Sequence, residues 1–358
     1  MVRMLPQMPS RPFITDLSLA GLRDALERRG EPTFRWKQIA KWLYQKRVES
    51  FDRMTNVSKA TRAGLAEAFR LEKLTEEYRR VSRNGDAVKF GFHAGEDIIE
   101  TVVLYDRERR TACVSSQLGC GLKCAFCETG RMGFIRNLSL HEITGQLIAV
   151  NDYLAQAGDK SITRVVFMGM GEALSNFDAF RDAVGIICDE NGLGLAPKRI
   201  TVSTAGVVPS IRRLMGSGLG VGLAISLNTY NDEKRNAIMP INGTYPIAEL
   251  IGAGEEYTRS TGADLTFEYV VVHGDNDTPE AVRALVRLLA RVPCKLNLIP
   301  INPGTDTPSP ATPSAEDLRA FADALYKKGV TVTRRTSRGQ DIFGACGQLA
   351  GKRNRTDA

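Results

Sequence analysis

The feature that most restricts the fold of this chain is a period. From Thr111 onward, short apolar runs rich in β-branched residues alternate with amphipathic segments. The runs lie at 111–117, 164–168, 199–204, 221–227, 265–272 and 294–300. Between them, 139–156, 177–190, 208–215, 246–260 and 278–291 carry the spacing of one-sided helices. Strands that are apolar on both faces belong in a parallel sheet covered by helices. Six such repeats fall short of the eight that close a barrel. The expectation is an α/β fold, a partial (βα)6 barrel over 111–305. A C-terminal extension, 306–358, then holds a helix at 315–328 and a strand at 330–335. Within this reading 303–314 is a Pro/Thr-rich surface loop and 352–358 a frayed polar tail.

The first 83 residues read differently. Helical patterns occupy 19–29 (capped by Ser18), 35–47 and 58–69. The middle one, RWKQIAKWLYQKR, interleaves five cations with Trp36, Trp42 and Tyr44. Two strands at 87–92 and 97–104 form a hairpin in a linker spanning 84–110. A length of 358 residues suffices for a barrel-sized core and one smaller domain. Residues 1–83 hold 18 Lys/Arg against 10 Asp/Glu, whereas the whole chain carries +7. A basic unit on a nearly neutral body suggests a polyanionic partner, with a merely solvated basic surface as the other reading. No apolar run reaches membrane-spanning length, and Met1–Pro6 begin no apolar signal core, so a cytoplasmic protein without a membrane partner is expected.

Seven cysteines, an odd number partly gathered in one loop, point to metal or redox chemistry rather than a disulfide framework. Cys120-Gly-Leu-Lys-Cys124-Ala-Phe-Cys127 follows the first strand of the repeat. Three thiolates at this spacing suit three corners of a [4Fe–4S] cube, leaving one iron open to a small molecule. The competing reading makes Cys113 a fourth ligand of zinc or of an electron-carrying cluster. Zinc sites usually come as close pairs, however, and Cys113 stands alone seven residues upstream, while His141 lies 14 residues downstream. Polar residues mark later strand ends: Gly171 and Glu172, then Ser203, then Ser226-Leu227-Asn228, then Asn302. A carboxylate suits an ammonium group, and hydroxyls and amides suit a nucleoside.

Taken together, CVSSQLGCGLKCAFC, GFIRNLSLHEI, MGMGEAL, ITVSTAGVVPSI, MPIN with YPI, LNLIPINP and ACGQLAG resemble the RlmN/Cfr family of radical S-adenosylmethionine (SAM) RNA methyltransferases, over about 100–351. Residues 1–83 resemble the family's accessory RNA-binding domain more loosely. The resemblance implies one [4Fe–4S] cluster on Cys120, Cys124 and Cys127. It also implies SAM held by Gly171, Glu172, Ser203, Ser226, Leu227, Asn228 and Asn302. Two SAM molecules are then used per turnover. Cys346 takes a methyl group from one by polar displacement. The other, cleaved at the cluster, gives the radical that activates that S-methyl for addition to an adenine carbon. Cys113 then attacks the Cys346 sulfur, releasing methylated RNA and leaving a transient disulfide, with Glu100 as proton acceptor. The expected target is adenosine C2 in preference to C8, in 23S rRNA first and tRNA second. A reductant protein is implied as a partner, and the chain is expected to be a monomer. Gly171-Glu172-Ala173 and Asn228 depart from the commonest RlmN forms and leave C2 and C8 open. Two other readings stand beside this one: a radical SAM enzyme on another substrate, and a non-catalytic RNA-binding iron–sulfur protein. The presence of both Cys113 and Cys346 favours the methyl relay.

Overall fold

The computed structural model describes residues 11–302 and 311–351. The expectations for Met1–Pro6 and the 352–358 tail, and most of the 303–314 loop, lie outside these residues. The first helices are α1 (Leu19–Glu27), α2 (Arg35–Ala40) and α3 (Lys59–Ala68). Ser18 and Ser58 cap α1 and α3 through their hydroxyls. Helix α2 runs on through Lys41–Gln45 as a π turn that buries Leu43 and Tyr44.

Three antiparallel strands follow: β1 (Glu76–Val81), β2 (Ala87–Ala94) and β3 (Asp97–Asp106). Strand β3 pairs in turn with β4 (Arg109–Cys113), so the antiparallel strands extend the barrel sheet directly. A small two-stranded sheet, β5 (Gln117–Gly119) and β6 (Phe134–Asn137), brackets the cysteine loop and the short α4 (Glu128–Arg131).

The barrel proper then alternates α5 (Leu140–Gln156), β7 (Arg164–Phe167), α6 (Phe177–Cys188), β8 (Ile200–Thr204), α7 (Val208–Gly216) and β9 (Gly222–Ser226). It continues through α8 (Asp232–Ile238), α9 (Ile247–Thr261), β10 (Leu265–Val271), α10 (Pro279–Leu289), β11 (Lys295–Pro300), α11 (Ala315–Tyr326) and β12 (Val332–Arg334). From β4 to β12 every neighbouring pair is parallel, in the order β4-β7-β8-β9-β10-β11-β12. The partial α/β barrel is thus as expected, with β12 added as one more parallel strand. Among the described residues β12 pairs only with β11, so the wall stays open between β12 and β4.

The N-terminal helices dock on α5. The His141 ring stacks on Phe13 at 3.9 Å and bonds the Thr15 hydroxyl, while its backbone N–H donates to Asp16. Arg47 and Lys73 both reach Asp152 at 2.7 and 2.8 Å. His141 is therefore a buried packing residue. Two of the five cations in 35–47 are also spent inside the protein, Arg35 on Glu31 and Arg47 on Asp152.

Candidate active site at the barrel mouth

The strand ends are held by the CVSSQ segment that follows β4. Ser115 Oγ donates to the Glu100 carbonyl and accepts from Met170 N–H. Gln117 accepts from Glu172 N–H. A Cβ on Gly169 would stand 2.7 Å from Ser115 atoms, and one on Gly171 would stand 2.4 Å from Gln117 Cβ. Gly171 also has φ +92°, a conformation other residues rarely adopt. The close approach demanded by these glycines is thus to the neighbouring strand end.

Cys120, Cys124 and Cys127 line an inner cavity of about 160 Å³ together with Glu172, Ser203, Ser226, Asn228 and Cys346. Burial pushes the Cys120 thiol up to about 11 and the Cys124 thiol up to about 12, the latter raised further by the charges of Cys127 and Cys120. The three sulfurs therefore surround one space. Among the described residues no three His, Cys, Asp or Glu groups close on a single ion. Cys113, the candidate fourth ligand, is not among the residues lining this cavity, so the set of three thiolates suits three corners of a cube with one iron left open.

Glu172 supplies the second part of the fit. Its carboxylate is 4 % exposed, with Oε2 accepting from Ala205 N–H at 2.9 Å. Its Oε1 is buried with no partner. Burial pushes this carboxyl up to about 7. An orphaned carboxylate oxygen beside the cysteines is what an ammonium group would satisfy. The residues present fit both a three-thiolate cluster and the amino group of SAM.

The remaining expected ligands are placed less uniformly. Ser203 and Ser226 line the inner cavity. Asn228 lines it too, at φ +61°, but its amide already accepts from Val270 N–H and donates to Met239 Sδ. Leu227 is wholly buried in the core. Asn302 donates to the Cys346 carbonyl at 3.1 Å and accepts from Gln340, so in this structure it holds a loop. Asn228 and Asn302 also line a third cavity of about 380 Å³, beside Ala125 and Phe126 of the cysteine loop.

Cys346 stands on the wall between the inner cavity and a lateral one of about 420 Å³, which Cys113 also lines. Burial first, then the charge of Cys346, pushes the Cys113 thiol up to about 12. All seven cysteines are free thiols, so the transient disulfide has no counterpart here. The Cys346 loop is stapled at several points. Gly347 carbonyl accepts from Glu128 N–H and Leu349 carbonyl from the Thr129 hydroxyl. Ala350 and Gly351 N–H groups donate to Glu100 Oε2. Glu100 Oε1 accepts from Tyr78 and from Lys89 Nζ at 2.9 Å. Burial raises the Glu100 carboxyl, but Lys89 and the hydrogen bonds outweigh it and hold it below the usual carboxylate range.

Three residues of the site were not read from the sequence. Arg335 lines both cavities beside Met168 and Cys346, and its charge is favoured first by Cys346, against burial, and then by Glu268 and Cys113. Glu268 lines the inner cavity, and the signal for it was an acid within an otherwise apolar strand. Arg235 is 0 % exposed and donates to the carbonyls of Leu227, Ala205 and Ser226, fixing two strand ends. Burial lowers its pKa to about 10, with Cys124 opposing.

Comparison with known proteins agrees with this geometry. Residues 14–71 match the Ribosomal RNA large subunit methyltransferase N-terminal domain, and residues 114–289 match the Radical SAM superfamily. The chain is 41% identical to the Dual-specificity RNA methyltransferase RlmN of Bradyrhizobium sp. (strain ORS 278), covering 98% of this chain and 91% of that one. It is 43% identical to the protein of that name from Marinobacter nauticus, over 93% of this chain and 91% of the relative. The crystal structure of a radical SAM methyltransferase from Sphaerobacter thermophilus superposes with a TM-score of 0.89 at 40% identity, over 95% of this chain and all of the other. A [4Fe–4S] cluster and SAM are accordingly the cofactors of this fold. By its sequence along nearly the whole length, and by its structure, the chain belongs to the RlmN family of radical SAM methyltransferases.

Proposed function

We propose that this chain methylates an adenosine base carbon in RNA, C2 in preference to C8, in 23S rRNA first and tRNA second. The methyl group passes through Cys346. Membership in the RlmN family supports RNA methylation as the activity. The carbon, the RNA and the relay are the finer part of the reading. So are a monomeric cytoplasmic enzyme, a reductant protein for the cluster, and a division into units at 1–83, 84–110, 111–305 and 306–358.

The observation that carries the relay is that Cys113 and Cys346, far apart in sequence, line one cavity, and that Cys346 alone of the two also lines the cavity of the cluster cysteines. When bound, the cluster and SAM supply one-electron cleavage of the sulfonium and abstraction of a hydrogen atom. The protein's own groups do the rest. Glu172 holds the amino group of SAM through its free Oε1. The Cys346 sulfur takes the methyl group of one SAM, whose sulfonium–methyl bond breaks with release of the neutral thioether. After that methyl gives up one hydrogen atom, its carbon bonds to the adenine carbon. The adenine carbon loses its ring hydrogen as a proton while one electron is returned, so that Cys346 is joined through the methyl carbon to the RNA. Cys113 begins as a buried thiol. Arg335 beside it stabilises the thiolate that attacks the Cys346 sulfur. The sulfur–carbon bond breaks, and its electron pair leaves with the adenine-bound carbon, which takes up a proton to become the methyl group. The protein is left as a disulfide for the reductant to reopen. Glu100, assigned by resemblance as proton acceptor, in this conformation anchors the loop that presents Cys346. Tyr78, Lys89 and two backbone amides occupy its oxygens.

The test uses two variants of the reconstituted enzyme with equal iron content. Cys346→Ala should never acquire a protein-bound methyl group and should be inert. Cys113→Ala should begin turnover and accumulate protein joined to RNA that survives denaturation. Absence of that adduct, with SAM cleavage intact, would refute the relay and leave a radical SAM enzyme of another chemistry. Mass spectrometry of nucleosides against C2- and C8-methyladenosine decides the carbon.

A further inference from the structure

Apart from Arg335, which faces the two thiols, the lateral cavity carries charge that the methyl relay does not use. Arg109 on β4, Arg164 at the start of β7, Arg334 on β12, and Arg335 and Arg338 just beyond it all line this one opening. Among the described residues Asp106 is the single acid in the lining. It is committed to Arg338 at 3.0 Å and lies 4.0 Å from Arg109. Arg164 and Arg334 are exposed, and no described carboxylate lies within ion-pair distance of either. Leaving Arg335 aside, four guanidiniums gathered around one carboxylate make a concentrated positive patch of the kind that attracts a polyanion.

We propose that this arginine rim grips the RNA phosphates on either side of the nucleotide presented to Cys346. The proposal rests on RNA being the substrate, and it places a backbone contact at the open seam of the barrel in addition to any made by the basic unit at 1–83. Four observations converge. The seam lies where the sheet fails to close, between β12 and β4, and the cavity there is lined by residues of both strands and of the segment that carries Cys346. Leu104, Ile299 and Leu349 line the same cavity as the arginines, together with both thiols, Cys113 and Cys346. A volume of about 420 Å³ is in the range of ordinary ligand cavities and offers a flat ring a place. A base can be modified there only when taken out of its stack, which leaves its flanking phosphates at the rim. Guanidinium groups suit that role because they bind phosphate in a bidentate way. The helix of the N-terminal domain, by contrast, has already spent Arg35 and Arg47 on Glu31 and Asp152.

The experiment measures the salt dependence of RNA affinity for the holoenzyme, by fluorescence anisotropy with a labelled tRNA transcript and a 23S rRNA fragment. Arg164→Gln with Arg334→Gln should flatten the slope of log K against log salt by about 1.5, from two lost contacts at about 0.7–0.9 each. Arg164→Lys with Arg334→Lys should restore it. Asp106→Asn frees Arg338 and Arg109, and should tighten binding and steepen the slope, a change that misfolding cannot imitate. The inference is overturned if the double Gln variant, melting at the parent temperature, keeps the parent slope while Lys37→Gln, Lys41→Gln and Lys46→Gln together remove it. A parent enzyme with no salt-dependent affinity for RNA would instead remove the RNA substrate itself, and this inference with it.

Discussion

Glu100→Gln isolates the anchor of the Cys346 loop from the chemistry that loop performs. The parent carboxylate faces four donors: Tyr78 and Lys89 on one oxygen, Ala350 and Gly351 N–H on the other. A glutamine amide has one acceptor atom and one donor group, so either orientation turns N–H against N–H. Lys89 and Glu100 are each 2 % exposed, and removing one partner of such a pair costs about 3–5 kcal/mol. If about 3 kcal/mol of this appears as easier opening of the 345–351 segment, the amides of Ala350 and Gly351 lose protection about a hundredfold. Hydrogen–deuterium exchange read on that peptide measures it, with the alkylation rate of Cys346 as a second readout. The folded-state carboxyl is held below its ordinary 4.5, so its stabilising contribution is complete above that pH and is lost as pH falls through the lowered value. The parent loop should therefore loosen only in acid, and the variant should lack that dependence. Adding Lys89→Met should recover part of the loss, because the stranded cation is gone. Protection at Ala350 and Gly351 within threefold of the parent would refute the anchoring role.

Glu172→Gln should weaken SAM binding by about ten- to a hundredfold, the worth of a charge-assisted hydrogen bond, as titration calorimetry would show. The same change should stabilise the protein without SAM. Burial raises the Glu172 carboxyl to about 7, so the parent loses stability as pH rises from 4.5 toward that value and the amide does not. Cys120→Ala, Cys124→Ala or Cys127→Ala should each lose bound iron and the visible absorbance, whereas Cys113→Ala should keep both. Arg235→Met should strand three strand-end carbonyls and lower the melting temperature, with a loss of about 1–3 kcal/mol for each group left buried without a partner.

The sequence by itself determined what repeats or clusters along the chain. The parallel barrel was legible because each strand and helix writes its own period, and the cluster loop because its three cysteines lie within eight residues. The roles of Cys113 and Cys346 came from resemblance, since nothing local distinguishes either from a core thiol. Strand β1 was missed because EEYRRV sits at the sheet edge, mostly exposed, and shows no apolar alternation. The glycines of MGMGE read as room for a ligand, but only the folded sheet reveals Ser115 and Gln117 against them. Glu100 reads as one acid in an apolar strand, and its four donors come from β1, β2 and the C-terminal loop. The arginine rim draws on β4, β7, β12 and the segment beyond it, with no shared period. Tertiary structure alone decided these groupings, because the forces that select them act between side chains brought together by the barrel's closure and by its one open seam, not between neighbours along the chain.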